Sequence, residues 1–122
     1  MSVRIGIDIV DVEEIERSLA RHGDRFLGRV YTEAERAAAA DSPRRLAAAF
    51  AAKEATMKAL GRRDEGIGWR SIEVVGTDRA PAVALSGAAE RLSAEHGVTG
   101  LTLTLTRSAE RAAAVVVAEA RP

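Results

Sequence analysis

The sequence contains no cysteine, which excludes disulfides, thiolate metal sites and cysteine nucleophiles. This composition is compatible with a reducing cytoplasm, where we expect the protein to be located. Aromatic residues make up only 3% of the chain, so the core must be built from aliphatic side chains. Basic and acidic residues number 18 each, and a net charge of zero produces no global field that would attract nucleic acid or an anionic membrane. We therefore expect neither of these partners.

The chain has the size and composition of one domain. Its 122 residues and its apolar fraction of 47% are enough to bury a core. The first residues, MSVRIGIDIV, contain a short apolar run that Asp8 interrupts, which is neither a secretory signal nor a membrane span. No repeat of fixed period and no low-complexity linker divides the chain. We predict a single domain over residues 1–122.

Strand-like and helix-like segments are mixed along the chain, which indicates the α+β class. Strands are predicted at residues 3–10, 69–75, 82–85, 98–106 and 112–120, the last two as an antiparallel hairpin. Helices are predicted at residues 11–22, after the Thr32-x-x-Glu35 capping box, at 44–60 and at 86–96. Residues 26–30 are predicted as a turn. The helix over residues 44–60 has no breaker and is rich in strong helix formers.

A single carboxylate, Asp8, interrupts the apolar first strand. If it were buried and unpaired it would cost several kcal/mol, so it needs a cation, a cap or water. Its simplest role is a cap at the end of the strand. If the strand packs beside the long helix, Asp8 and Glu54 could instead supply two hard oxygen ligands to magnesium, whose other ligands come from water and substrate phosphate. Such a pair favours phosphoryl chemistry.

Two further features near the end of the long helix could act on phosphate. Glu54 and Lys58 are four residues apart and share one face of the helix, although the ordinary interpretation of this spacing is a surface salt bridge. The loop that follows contains Gly61, Arg62 and Arg63, whose amides and guanidinium groups could cradle phosphates. It lacks the spacing of a Walker loop or a dinucleotide fingerprint, and a solvated connector explains it equally well.

Two motifs together resemble the holo-acyl-carrier-protein synthases, the short type of 4'-phosphopantetheinyl transferase. They are Gly6-Ile7-Asp8-Ile9-Val10 and Phe50-Ala51-Ala52-Lys53-Glu54-Ala55-Thr56-Met57-Lys58-Ala59-Leu60-Gly61. Their order and spacing in a chain this short are specific, and the likeness spans essentially the whole chain. The resemblance implies a 4'-phosphopantetheinyl transferase fold, with a small antiparallel sheet packed against a long central helix. It also implies a homotrimer with active sites at the subunit interfaces.

The resemblance further implies an enzyme that transfers the 4'-phosphopantetheine arm of coenzyme A to a serine of an apo acyl carrier protein. Adenosine 3',5'-bisphosphate is released, and the carrier protein would belong to fatty acid, polyketide or peptide assembly. Asp8 and Glu54 match the magnesium ligands of the family, and Lys58 matches a lysine that contacts phosphate or assists proton transfer. These three are the expected catalytic residues. The expected coenzyme A contacts are Lys53, Gly61, Arg62, Arg79 and Pro81.

Several positions depart from the family pattern. Ala49 replaces a basic residue, Ala80 displaces the basic residue of a Gly-Lys-Pro or Gly-Arg-Pro turn to Arg79, and Arg107 replaces a frequent histidine. Glu14 stands where the first helix usually offers an arginine to the acidic carrier protein. These departures motivate an alternative, a divergent member that binds a carrier protein or an acyl-pantetheine without transferring the arm, or that catalyses another reaction on it. A third hypothesis is an α+β oligomer with a purely structural role.

Overall fold

The computed structural model of the chain describes residues 1–61 and 67–122. This part of the chain contains five strands: β1 (Ser2–Asp11), β2 (Ile72–Gly76), β3 (Pro81–Leu85), β4 (Val98–Arg107) and β5 (Arg111–Ala120). It also contains five helices: α1 (Val12–His22), α2 (Asp24–Val30), α3 (Glu33–Ala39), α4 (Pro43–Ala59) and α5 (Gly87–Glu95). A 3-10 turn, Trp69–Ser71, precedes β2.

The strands form two antiparallel sheets. The larger sheet has the order β1-β5-β4, and β2 and β3 form a separate hairpin. Asp8 lies opposite Ala114 in β5, and Ala114 lies opposite Leu105 in β4. Because residues directly opposite each other point to the same face, Asp8 lies on the face that α4 covers. The other face exposes the apolar side chains of Val3, Ile5, Ile7 and Ile9.

Helix α4 packs on the larger sheet at a very short distance because small residues line the contact. Alanines 47, 51, 52, 55 and 59 of the helix are at most 1% exposed. A Cβ atom added at Gly6 of β1 would collide with the backbone of Ala55 and Ala59. Glycine is therefore required where β1 crosses α4, and this crossing lies two residues before Asp8. The predicted α+β fold, a small antiparallel sheet against a long central helix, is confirmed.

The helix starts follow the capping signals of the sequence. The Thr32 hydroxyl accepts a hydrogen bond from the Glu35 amide, and the Glu35 carboxylate accepts one from the Thr32 amide, which confirms the capping box of α3. Helix α4 begins after Ser42, whose hydroxyl accepts from the amide of Arg45, with Pro43 in the first turn. Nowhere in the described residues does a helix combine the length and the apolar character that a membrane span needs.

Two predicted elements are wrong. Residues 26–30, predicted as a turn, belong to helix α2, which is stabilised by burial of Leu27 and Val30 and by an edge-to-face contact between Phe26 and Tyr31. The strand predicted from Trp69 begins only at Ile72. The Ser71 hydroxyl shares its one O–H between the carbonyl oxygens of residues 67 and 68, each 2.7 Å away, which holds the preceding residues in a 3-10 turn.

Candidate active site

Asp8 and Lys58 meet where β1 crosses α4. The Lys58 ammonium lies 3.0 Å from Oδ1 of Asp8 and donates a second hydrogen bond, at 2.9 Å, to the carbonyl of Ile7. The Asp8 side chain is only 17% exposed and the Lys58 side chain 43%. The carboxylate of Asp8 is therefore balanced by the ammonium of Lys58 from helix α4. Its partner is a cation on the helix and not a group at the end of the strand.

Glu54 lies one helical turn before Lys58 and is half-buried. With Lys58 it lines a cleft of about 410 Å³, whose other wall is formed by Ile5, Gly6 and Ile7 of β1. The predicted catalytic residues Asp8, Glu54 and Lys58 are thus brought to one crossing of strand and helix. The close approach at Gly6 makes this possible, because a bulkier residue would separate β1 from α4.

The two carboxylates beside Lys58, one on β1 and one on α4, suit a hard cation. Asp8 and Glu54 offer carboxylate oxygens, the ligands that magnesium prefers. Among residues 1–61 and 67–122, no cluster of three or more Asp, Glu, His or Cys side chains is placed to hold a metal ion. A divalent cation at the two carboxylates would therefore need water or phosphate oxygens to complete its coordination, as magnesium in phosphoryl-transfer sites does.

Lys53, the neighbour of Glu54, points into the protein. Its side chain is 0% exposed, and its ammonium lies 2.8 Å from Oε1 of Glu35. It also donates hydrogen bonds to the carbonyls of Trp69, at 3.1 Å, and Ile72, at 2.5 Å. Burial lowers the pKa of Lys53 from its ordinary value of 10.5, while the Glu35 carboxylate acts in the opposite direction. Its three acceptors still match the three N–H groups of an ammonium.

The assignment of Lys53 as a coenzyme A contact is therefore corrected. A side chain with no exposed surface, whose three donors are satisfied inside the protein, has nothing to offer a ligand in the cleft. The physical reason is that α4 is buried on nearly all sides. The side of the helix that carries residue 53 therefore packs inside the protein and does not face solvent.

A second cavity, of about 400 Å³, lies between α3 and α4 on one side and the β2–β3 hairpin and the end of β4 on the other. Two guanidinium groups border it, and both approach the Asp78 carboxylate, Arg45 at 3.4 Å and Arg107 at 3.3 Å. Ala49 and Pro81 also line this cavity. It therefore combines two arginines, both paired with Asp78, and the carboxylate of Glu35 with an apolar floor.

The remaining predicted coenzyme contacts are not in the cleft of Asp8 within one chain. Pro81 lines the second cavity, Arg79 is exposed on the adjacent hairpin turn, and the two cavities share no lining residue. Gly61 ends α4 with a positive φ of 81° and lies beside the side chains of Arg4 and His96. Arg62 lies outside the described residues.

Arg45 lines the second cavity and is not among the coenzyme A contacts predicted from the sequence. It lies one helical turn before Ala49, so both residues share a face of α4, roughly 140–180° around the axis from Glu54 and Lys58. The guanidinium that the family pattern places at residue 49 is supplied to the same cavity from residue 45. The four-residue spacing was the signal that could have identified it.

The exposed face of α1 carries both charge signs. The Arg17 guanidinium forms an ion pair with Glu13 at 3.0 Å, with both side chains more than half exposed. Glu14 and Arg21 are exposed on the same helix. Pairing with Glu13 reduces the capacity of Arg17 to compensate for the reversed charge at Glu14.

Comparison with known proteins identifies the family. The family described as the 4'-phosphopantetheinyl transferase superfamily matches residues 4–116. The holo-acyl-carrier-protein synthase of Paramagnetospirillum magneticum is 44% identical over 132 aligned positions, which cover 100% of this chain and 99% of the relative. That of Herpetosiphon aurantiacus is 41% identical, covering 92% of this chain and 94% of the relative.

Solved structures agree with this match. The structure of Helicobacter pylori holo-acyl-carrier-protein synthase in complex with coenzyme A superimposes with a TM-score of 0.84 at 30% identity, covering 94% of this chain and 99% of that chain. The synthase from Neisseria meningitidis gives a TM-score of 0.85 at 32% identity, covering 95% and 97%. The resemblance noted from the two motifs is confirmed. This chain belongs to the 4'-phosphopantetheinyl transferase superfamily.

Proposed function

We propose that this protein transfers the 4'-phosphopantetheine arm of coenzyme A to a serine of an apo acyl carrier protein and releases adenosine 3',5'-bisphosphate. The observation that supports this most directly is that Lys58, which lines one cleft with Glu54, also pairs with Asp8 at 3.0 Å. The site combines oxygen ligands for a cation with an ammonium that can bind phosphate. Membership of the superfamily and relatives named holo-acyl-carrier-protein synthase support the same reaction.

In this proposal Asp8 and Glu54 hold magnesium, which would neutralise the diphosphate of coenzyme A and stabilise charge on the leaving phosphate. Lys58 has a separate role. Its ammonium has three N–H groups, and within residues 1–61 and 67–122 only Asp8 and the Ile7 carbonyl accept from it, which leaves the third for a phosphate oxygen. Because both acceptors belong to β1, the strand fixes the position of the ammonium before the substrate binds.

We also propose a homotrimer in which each site combines two subunits. The face of β1 formed by Val3, Ile5, Ile7 and Ile9 is apolar and 55–64% exposed, and such a continuous patch usually marks an interface. Assembly through this face would let the β2–β3 hairpin of one subunit, with Arg79 and Pro81, approach the Asp8 cleft of the next. It would account for the separation of these residues within one chain.

Two arginines support phosphate binding in the second cavity. Arg45 and Arg107 border it together, and guanidinium groups bind phosphate oxygens through paired N–H donors. The alternative of a member that does not transfer the arm was motivated by the missing basic residue at Ala49. Because Arg45 brings a guanidinium to the same cavity, the transferase explains the structure better.

The experiment is to incubate the purified protein with coenzyme A, magnesium and an apo acyl carrier protein and to measure the intact mass of the carrier. The expected result is a mass gain of one phosphopantetheine, abolished by Asp8→Asn, by Glu54→Gln and by a chelator. Glu95→Gln, an exposed neutralisation on α5, serves as the control with wild-type transfer. No mass gain on any carrier protein tested, together with no binding of coenzyme A, would contradict the proposal.

The pathway of the carrier protein, the cytoplasmic location and the single domain over residues 1–122 stay predictions.

A further inference from the structure

The buried ion pair between Lys53 and Glu35 has no role in the chemistry proposed above. Lys53 is 0% exposed and Glu35 5%, and their charged atoms are 2.8 Å apart. Burying two charges is costly unless their remaining hydrogen-bonding groups are also satisfied. Here they are satisfied, and each partner comes from a different part of the chain.

The pair joins four elements that would otherwise be held mainly by apolar contacts. Glu35 of α3 accepts hydrogen bonds from the amides of Thr32, at 2.8 Å, and Val74 of β2, at 2.7 Å. Lys53 of α4 donates to Trp69 in the 3-10 turn and to Ile72 at the start of β2. A hydrogen bond from the Thr32 hydroxyl to the Glu73 carboxylate continues the network at the surface. All of these bonds converge on the root of the β2–β3 hairpin.

The hairpin needs such an anchor. A two-stranded hairpin is at best marginally stable by itself. In β2 only Ile72 is buried, and every residue of β3 is exposed or half-buried. The same hairpin forms one wall of the second cavity, through residues 74–78 and 81, while α4 forms the opposite wall through Arg45, Ala48 and Ala49. The distance between the two walls therefore depends on how β2 is tied to α4.

We propose that Lys53 and Glu35 are a positioning pair that fixes the β2–β3 hairpin relative to α4 and thereby sets the shape of the second cavity for a phosphate-bearing part of coenzyme A. The identity of this ligand rests on the proposed function. The pair acts through the hairpin. Lys53 is fully buried and does not line the second cavity, whereas Glu35 does, so the effect of Lys53→Met on the Kd of coenzyme A is the readout of positioning. Neighbouring residues of one turn of α4 thus face different sites. Glu54, the proposed metal ligand, faces the cleft, and Lys53 faces the root of the hairpin that walls the second cavity.

The test compares Lys53→Met with a double variant, Lys53→Met with Glu35→Gln, in the full-length protein. The single variant leaves a buried carboxylate without its cation, whereas the double variant removes both charges. Both lack the donor to the Trp69 and Ile72 carbonyls. Ile15→Ala, a core truncation in α1, is the control for general destabilisation. The readouts are urea unfolding, hydrogen exchange of the backbone amides and the Kd of coenzyme A measured by calorimetry in the presence of magnesium.

We expect the double variant to recover much of the unfolding midpoint lost in the single variant. In both, however, amides of residues 72–85 should exchange faster while those of β4 and β5 stay protected, and the Kd of coenzyme A should rise roughly tenfold or more. Ile15→Ala should leave the Kd unchanged. Should the double variant keep wild-type exchange in the hairpin and wild-type affinity, the positioning role is wrong, even if the protein is an active transferase.

The two proposals can fail separately. If the wild-type protein binds no coenzyme A, the proposed function fails, and the exchange pattern of residues 72–85 still decides whether the pair positions the hairpin. If the single variant does not fold, the double variant supplies both readouts. Equal loosening of the hairpin and of the β4–β5 strands in the double variant would contradict the proposal, because it would indicate general destabilisation.

Discussion

At the scale of single residues, Tyr31 shows how strongly this small core constrains a polar group. It is the only tyrosine of the chain and is 1% exposed. Its hydroxyl donates a hydrogen bond of 2.9 Å to the carbonyl of Leu46, which ties the segment before α3 to α4. Burial, with a smaller contribution from the Glu35 carboxylate, raises the pKa of the phenol well above its ordinary value of 10.0.

This shift predicts a specific loss of stability at alkaline pH. The folded protein keeps the phenol proton where the unfolded chain has lost it, so the free energy of unfolding is unaffected below pH 10.0 and falls above it. The expected slope from this one group is about 1.4 kcal/mol per pH unit. Tyr31→Phe should lack this slope, so the difference between the two proteins in urea unfolding should shrink as the pH rises.

Tyrosinate absorbance provides a second measurement of the same effect. With one tyrosine in the chain, the absorbance change should coincide with the loss of circular dichroism, since the phenol ionises only on unfolding. Ionisation of Tyr31 near its ordinary pKa while the protein is still folded would contradict the account.

Residue types and spacing predicted part of the site. The isolated carboxylate at Asp8 indicates a need for a cation, a cap or water, and the structure supplies the ammonium of Lys58, which the family resemblance assigns to phosphate. The inward position of Lys53 could not be predicted, because lysine is almost never fully buried unless it is paired. Its partner, Glu35, had been identified only as a capping residue. Only the tertiary structure shows that the same carboxylate caps α3 and binds Lys53.

At the scale of elements, the charges on helix α1 predict how fast the protein associates with its carrier protein. Glu14 and Glu16 are both exposed and lie about 160° apart around the helix. If the face of Glu14 meets the acidic carrier protein, Glu14→Arg should speed association more at low salt than at high salt, because exposed charges are screened by ions. The measurement is the association rate at two ionic strengths.

Glu16→Arg is the matched control, since it makes the same change in charge on the opposite face. We expect it to alter the association rate much less than Glu14→Arg. Equal effects of both variants would show that net charge matters and that the face of Glu14 does not dock the carrier protein.

Long elements were more predictable than short ones. Helix α4, which is rich in strong helix formers, and the β4–β5 hairpin were predicted close to their observed bounds, since their own sequence determines them. Helix α2 was missed because it is short and contains Gly28, and its stability comes from packing of Leu27 and Val30. The 3-10 turn before β2 was missed because residues 69–71 have a strand-like pattern of side chains. The Ser71 hydroxyl, bonded to the carbonyls of residues 67 and 68, holds them in a local turn instead.

At the scale of the whole molecule, the exposed face of β1 predicts self-association. Ile9 is 64% exposed at one end of this face. Ile9→Glu should place a charge in the proposed interface and convert the trimer to a monomer, as measured by light scattering after gel filtration. Ala37→Glu, which adds the same charge to the exposed side of α3, should remain trimeric. A wild-type protein that is monomeric at the concentrations used for transfer would contradict the proposed assembly.

The central claim is that Asp8 and Glu54 bind one divalent cation that holds the diphosphate of coenzyme A. The most direct measurement is the Kd of coenzyme A by calorimetry, with and without magnesium, for the wild-type protein and Asp8→Asn. The account predicts that magnesium tightens binding to the wild-type protein and has little effect on the variant, because one oxygen ligand has lost its charge. An equal gain in affinity from magnesium in both proteins would contradict it.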